Sequence, residues 1–292
     1  MDKITYLEVN EKTELMKFLI AHLIGKGRNS IKSLLARGQV SLNNSVITKF
    51  DYPLEKGQQV VINWTKDESQ LEGLKILFED PYLIVIDKEA GLLSVSSDKE
   101  KEITAYSILN EHIKKKDIRK RIFVVHRLDR DTSGVMMFAK SKEIQQSLQN
   151  AWQDVVVERS YVVVVEGRVK KEQDTISSWL KQSKALIMYS SHIPEDGQKA
   201  ITHYRVIKRN TNYSLLEVHL ETGRKNQIRV HMHDIGHNII GDKKYGATKN
   251  PLKRLGLHAR VLAFKHPVTG EQKRFETLTP KEFLSLFTLS KS

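Results

Sequence analysis

The strongest constraint on this chain is a set of short apolar runs rich in β-branched residues. KILFED (75–80), YLIVID (82–87), IFVV (122–125), GVMMFAK (134–140), YVVVVEG (161–167), HYRVIKR (203–209) and YSLLEVHL (213–220) each read as a strand, and Asp80-Pro81 separates the first two. Helical patterns are fewer: 12–37, 103–118 and KEIQQSLQNAWQ (142–153). Strands that outnumber helices and follow one another in adjacent runs predict an α+β fold. Its sheet is expected to be mixed, mainly antiparallel, around a central cleft. At 292 residues the chain has room for roughly two domains.

Residues 1–65 read as a small module of their own. EKTELMKFLIAHLIG places Leu15, Phe18, Leu19 and Leu23 at spacings of three and four, one apolar helical stripe. RNSIKSLLARG follows, with Asn29 or Ser30 as N-cap and Gly38 as the stop. QVSLNN is a short strand entering an Asn43-Asn44 turn, SVITK is its partner, and QQVVINW is a further strand. The polar stretch 66–74 is the expected linker, leaving 75–292 as the larger domain. Lys26, Arg28, Lys32 and Arg37 cluster on and around the second helix, where Arg28 and Lys32 share a face.

Net charge is +13 with a pI of about 9.6, which favours a polyanionic partner because each cation meeting a phosphate releases counterions. With no cysteine, the chain has no disulfides, no thiol nucleophile and no Cys-based zinc site. No stretch approaches the roughly 20 apolar residues of a membrane span. The opening MDKITYLEVNEKTEL has no apolar signal core, so a cytoplasmic protein is expected.

Between two of the apolar runs lies HRLDRDTSG (126–134), with His126, Arg127, Asp129, Arg130 and Asp131 in close succession. Asp131 precedes Thr-Ser-Gly and is expected to accept backbone N–H groups two or three residues on, a structural task. Asp129 has no such local task. Its candidate roles are metal ligand, general base or nucleophile. A second constellation is ETGRKNQIRVHMHDIGHNIIGDKKYG (221–246). Asn226 is a candidate cap for a helix ending at Gly236, with Ile228, Met232 and Ile235 as its buried stripe. A strand over QIRVHMH is the alternative. Either way Arg229 lies off the apolar face, and a buried arginine needs a carboxylate such as Asp129. His231, His233 and His237 match no metal motif, so no metal site is expected.

These segments resemble two known families. The stretch FLIAHLIGKGRNSIKSLLARGQVSLNNSVITKFDYPLEKGQQVVI is similar to the small RNA-binding domain first described in ribosomal protein S-four. Arg28, Leu34-Leu35, Gly38, Val40 and Lys56-Gly57 occupy that family's marked places. HRLDRDTSGVMMFAKS resembles the H-R-L-D-x-x-T-S-G signature of RluA-type pseudouridine synthases. LIVIDKEAGLLSV (83–95), ERSYVVVVEG (158–167), the 221–246 constellation and LHARVLAFKHPVTGE (257–271) follow in that family's order.

The second resemblance implies an isomerase. It would break the bond from ribose to uracil nitrogen and remake it to carbon 5, without cofactor or metal. It also implies that Asp129 is catalytic, that Arg229 holds it ionised, and that Tyr161 stacks on the target base. Arg127 would fill the space left by an extruded uridine. Arg130, Arg224 and Gln227 would contact RNA, joined by Arg28, Lys32 and Arg37 of the first module. A uridine that leaves its stack is cheapest to take from a loop or bulge. The expected partner is structured RNA, ribosomal first and transfer RNA second, met by a monomer with no membrane attachment. Two positions depart from the pattern: Glu89 replaces a proline and Asn226 a histidine.

Overall fold

Leu15, Leu19 and Leu23 are buried as the helical stripe requires, on a small sheet whose strands supply Val40, Val60 and Ile62. The computed structural model describes residues 4–36, 38–42, 45–64, 69–96 and 102–288, and the chain divides into two compact units, 1–71 and 72–292. In the first unit the elements include β1 (Ile4–Glu8), α1 (Leu15–His22), α2 (Arg28–Ala36), β2 (Val40–Leu42), β3 (Ser45–Val46) and β4 (Gln59–Asn63). The sheet runs β1-β4-β2-β3, antiparallel throughout.

Helix α2 begins at Arg28, one or two residues before the expected cap, because the Ile31 N–H is taken by the Gly27 carbonyl. Neither Asn29 nor Ser30 is therefore the N-cap. Its end follows the expectation: Gly38 takes φ +64°, and the Gln39 N–H returns to the Leu34 carbonyl. Arg37 and the Asn43-Asn44 turn lie outside the described residues.

The second unit contains β5 (Leu74–Glu79), β6 (Leu83–Lys88), α3 (Ala105–Lys116), β7 (Ser133–Ala139), α4 (Lys142–Asn150), β8 (Val156–Glu166), β9 (Gln173–Gln182), β10 (Met188–Ser191), β11 (Gln198–Arg209), β12 (Tyr213–Leu220), α5 (Gln227–Asp234), β13 (Leu257–Lys265) and β14 (Gln272–Glu276). Its sheet runs β10-β9-β11-β12-β8-β13-β7-β6-β5, with β14 paired to β13. This is the mixed, mainly antiparallel α+β architecture read from the sequence.

The pairing of β7 with β13 is parallel, and it is short: Ser133 opposite His258 and Gly134 opposite Ala259. Alternation along β8 covers both faces of the sheet. Val163 and Val165 pack with Ile228 and Met232 of α5, while Val162 and Val164 pack with Ile240 and Phe283 on the other side. The helical form of QIRVHMH thus follows from burial: Ile228 and Met232 lie four apart and both meet the sheet.

Gly134 shows how tightly the two central strands approach. Its φ is +113°, and a Cβ there would lie 2.0 Å from the Ala259 carbonyl oxygen. No side chain fits without parting β7 from β13. Gly134→Ala is expected to destabilise the chain by about 3 kcal/mol or more in urea denaturation. A loss below about 1 kcal/mol would contradict this account of the strand contact.

Candidate active site

The loop between Phe123–Val124 and β7 owes its shape to groups that hold its backbone. The Ser94 hydroxyl donates to the Leu128 carbonyl at 2.7 Å and accepts from the Leu128 N–H at 3.2 Å. The Gly91 N–H and the Lys88 ammonium both donate to the Arg130 carbonyl, at 2.9 and 3.0 Å. Lys88 is fully buried and gives its other bonds to the carbonyls of Glu89 and Leu92, at 2.9 and 2.7 Å. Asp129 therefore sits between two residues whose carbonyls are fixed. The sequence singled out neither Lys88 nor Ser94; a lysine ending a buried apolar run was the available signal.

The turn at 129–132 is closed by the backbone, with the Thr132 N–H donating to the Asp129 carbonyl at 3.1 Å. This corrects the structural task assigned to Asp131. Its carboxylate is exposed and accepts no backbone N–H among the described residues, and instead its charge acts on Lys88 and Arg254. Burial lowers the Lys88 pKa to about 8, with the nearby charge of Asp131 opposing the shift.

The Asp129 carboxylate accepts from Arg229 Nη1 at 3.0 Å. Arg229 also donates through Nε and Nη2 to both oxygens of Asp242, each at 2.8 Å. Burial works against the Arg229 charge, but Asp242 first and Asp129 second outweigh it, and the guanidinium pKa is raised above its ordinary value. The Tyr245 ring lies 5.1 Å from the guanidinium carbon and closes another side. Asp242 was the residue missed in the sequence. The reading gave a buried Arg229 one carboxylate, whereas a guanidinium carries five donors and takes a second acid in fork geometry.

Arg229 stands in the first turn of α5, and a buried polar network fixes that turn. Gln227 accepts from the Thr222 hydroxyl at 2.8 Å and the Arg224 N–H at 3.0 Å, and donates to the Ile201 carbonyl at 3.0 Å and the Thr202 hydroxyl at 2.9 Å. It is buried with its amide fully used, so it holds the helix entry. Asn226 stands at the N-cap position as expected, its carbonyl accepting from the Val230 N–H at 3.0 Å, but its side chain makes no capping bond. It adopts the left-handed conformation (φ 55°), and its amide donates to the Tyr245 hydroxyl at 3.2 Å, steadying the ring beside Arg229. The three histidines have separate structural partners: His231 bonds Thr202 and Ser178, His233 bonds Asn238, and His237 bonds the Glu166 carbonyl. Burial lowers the His231 pKa to about 4, leaving it neutral.

Tyr161 projects from β8 on the α5 side of the sheet, half-buried. Burial raises its hydroxyl pKa, Arg159 opposes the shift, and the Asp129 charge adds to it, so a neutral phenol stands within the field of Asp129. Arg127 is exposed. Arg130 is exposed too, with its charge paired to Glu102 at 2.7 Å. Arg224 is half-buried and donates to the Lys199 carbonyl at 3.0 Å. In the first unit Arg28 and Lys32 are exposed on α2, while Arg37 lies outside the described residues.

The two carboxylates on Arg229 differ in burial: side-chain exposure is 33% for Asp129 and 1% for Asp242. Removing the buried charge leaves Arg229 under-compensated, so Asp242→Asn is expected to cost about 3 kcal/mol in urea denaturation. Asp129→Asn leaves the Asp242 pair intact and is expected to cost less than about 1 kcal/mol. Equal losses would refute the anchoring role of Asp242.

Residues 82–234 match the family described as RNA pseudouridylate synthase. The uncharacterized RNA pseudouridine synthase YlyB of Bacillus subtilis is 33% identical over 97% of this chain and 96% of its own length. The ribosomal large subunit pseudouridine synthase D of Pseudomonas aeruginosa is 32% identical over 90% of this chain and 87% of its own. Among solved structures, Human RNA Pseudouridylate Synthase Domain Containing 4 shares the fold with a TM-score of 0.59 at 24% identity, covering 72% of this chain and 90% of that one. With more than half of its length matched by the family and relatives aligned nearly end to end, this chain belongs to the RNA pseudouridylate synthase family.

Proposed function

We propose that Asp129 is the catalytic carboxylate of this RNA pseudouridine synthase, and that Arg229 and Tyr161 complete its site. The reaction breaks the bond from ribose C1′ to uracil N1 and forms one from C1′ to C5; C5 loses a proton and N1 gains one. The observation that carries the reading is the Asp129–Arg229 contact at 3.0 Å, backed by Asp242. A carboxylate held against a fixed cation stays ionised and aimed, which serves attack on the base, attack on the ribose or proton removal equally. The neutral Tyr161 phenol offers a flat face to the uracil ring.

The expected substrate is large-subunit ribosomal RNA, since relatives from Pseudomonas aeruginosa, Zymomonas mobilis and Haemophilus influenzae carry that subunit in their names. The first unit is proposed to be an RNA-binding module of the ribosomal-protein-S-four type. Exposed Arg28 and Lys32 on α2, and Lys26 set 5.0 Å from the Trp64 ring, support a phosphate-facing surface.

Three outcomes test this reading. In cells lacking the gene, the wild-type chain should restore a pseudouridine mapped in large-subunit RNA, whereas Asp129→Asn should restore none while binding RNA within about threefold. A restored site would remove Asp129 from catalysis. Replacing both Arg28 and Lys32 with Gln should flatten the log–log salt dependence of RNA affinity by about one to two; an unchanged slope would sink the RNA-contact role of α2.

The third outcome is a pH dependence. Lys88 loses its proton near pH 8 instead of near its ordinary 10.5. A neutral amine has two N–H groups for three carbonyls, so the catalytic loop loosens as pH rises. Because the folded pKa lies below the unfolded one, titration of Lys88 adds stability between about pH 8 and about 10.5, so this group does not unfold the protein there. Single-turnover rates should bend downward near pH 8 with no fall in melting temperature traceable to Lys88. A rate flat to about pH 9.5 would contradict the clamp.

A further inference from the structure

Arg159 is a half-buried cation with no carboxylate beside it. On β8 it precedes Tyr161 by two residues, and so faces the same side of the sheet. Its Nη2 donates to the backbone carbonyls of Glu221 and Leu220, at 3.2 and 3.5 Å. The guanidinium carbon lies 5.9 Å from the centre of the Trp152 ring. Nη1 rests against the turn at Gly223, where an added Cβ would meet it at 2.4 Å and push the guanidinium aside. The side chain is thus held by a ring, two carbonyls and a glycine turn.

What it lacks is a counter-charge. The half-buried arginines Arg209, Arg229, Arg254 and Arg260 each pair with a carboxylate. Among the described residues none pairs with Arg159, and none accepts from its Nε or Nη1. The nearest acid in sequence, Glu158, pairs with Arg274; Glu221, whose carbonyl Arg159 uses, turns its own carboxylate to His203 at 2.6 Å. Arg224, on the far side of Gly223, is the other half-buried arginine without an acid. Withdrawing a cation from water without a partner is costly, and a site that does so leaves the partner to the ligand. The substrate RNA brings one anionic group per nucleotide, its phosphodiester.

We propose that Arg159 is an anion receptor of the active site, holding a backbone phosphate next to the target uridine through Nε and Nη1. The inference rests on the reading of Asp129 and Tyr161 as the site. Fixing a phosphate two residues along the strand from Tyr161 would set the register of the nucleotide on that ring. A guanidinium suits the task better than an ammonium, because it can stack on Trp152 and keep donors free for oxygen.

The test uses the full-length chain and a stem-loop of large-subunit ribosomal RNA bearing a uridine that the wild type converts. Each phosphodiester within about two nucleotides of that uridine is replaced in turn by a neutral methylphosphonate. One replacement should weaken wild-type binding about tenfold, the worth of one charge-assisted hydrogen bond. The same replacement should cost Arg159→Gln nothing, and this variant's log–log salt slope should be shallower by about 0.7 to 0.9. Arg159→Lys, which keeps the charge, should keep the slope. A wild type indifferent to every single replacement overturns the proposal without requiring any variant to fold. So does an Arg159→Gln chain that keeps the wild-type slope and loses equally at every linkage, as a purely structural arginine would. Failure of the underlying reading has a separate mark: Asp129→Asn still forms pseudouridine while the linkage dependence persists.

Discussion

The structure of the site depends on one guanidinium largely withdrawn from water. Arg229 is removed from water on a helix that packs against the central sheet, and two carboxylates compensate it. Asp242 is wholly buried and bonds in fork geometry; Asp129 is a third exposed and bonds once. This asymmetry divides the work. The buried acid fixes the guanidinium, and the guanidinium then presents a single donor to the more exposed acid. Everything around the trio serves to keep α5 and the 126–132 loop from drifting: Gln227 at the helix entry, Ser94 and Lys88 on the loop backbone, and Gly134 where β7 meets β13.

Such a site is expensive to assemble and is assembled from distant chain segments. Asp129 and Arg229 are separated by 100 residues, and Lys88 reaches the Arg130 carbonyl across 42. Local propensity cannot hold such contacts; the sheet does. β7 continues directly from the 126–132 loop and lies in the sheet interior, so Asp129 inherits the rigidity of a fully buried strand. Rigidity of this kind suits a reaction in which one carboxylate must meet a reacting base at the right distance.

How much of this was legible in the sequence follows from the range of each interaction. Apolar runs and their alternation gave the α+β class and most strands, because burial is written in composition. The stripe of α1 and the stop at Gly38 were equally readable. Strands β9 and β10 were not, since ISSWLKQ and MYSS mix polar and apolar residues at the edge of the sheet, where burial is weak. At the site, Asp129, Tyr161 and Arg229 were marked by motif and resemblance. Asp242, Lys88 and Arg159 were not singled out, because their importance lies in partners that only the fold supplies. Asp131 was misjudged for the same reason: a side chain's type says what it can bond, and the fold decides what it meets. Asn226 shows the reverse case, a departure from the family pattern that found a new partner in Tyr245.

The central claim is that the Arg229–Asp242 pair holds Asp129 where the chemistry needs it. The most direct measurement is single-turnover pseudouridine formation by Asp242→Asn at a temperature where circular dichroism shows it folded, alongside its RNA dissociation constant. The account predicts a rate lower by about a hundredfold, the scale of a catalytic group misplaced by about 1 Å, with the dissociation constant unchanged. A wild-type rate in the folded variant would contradict it.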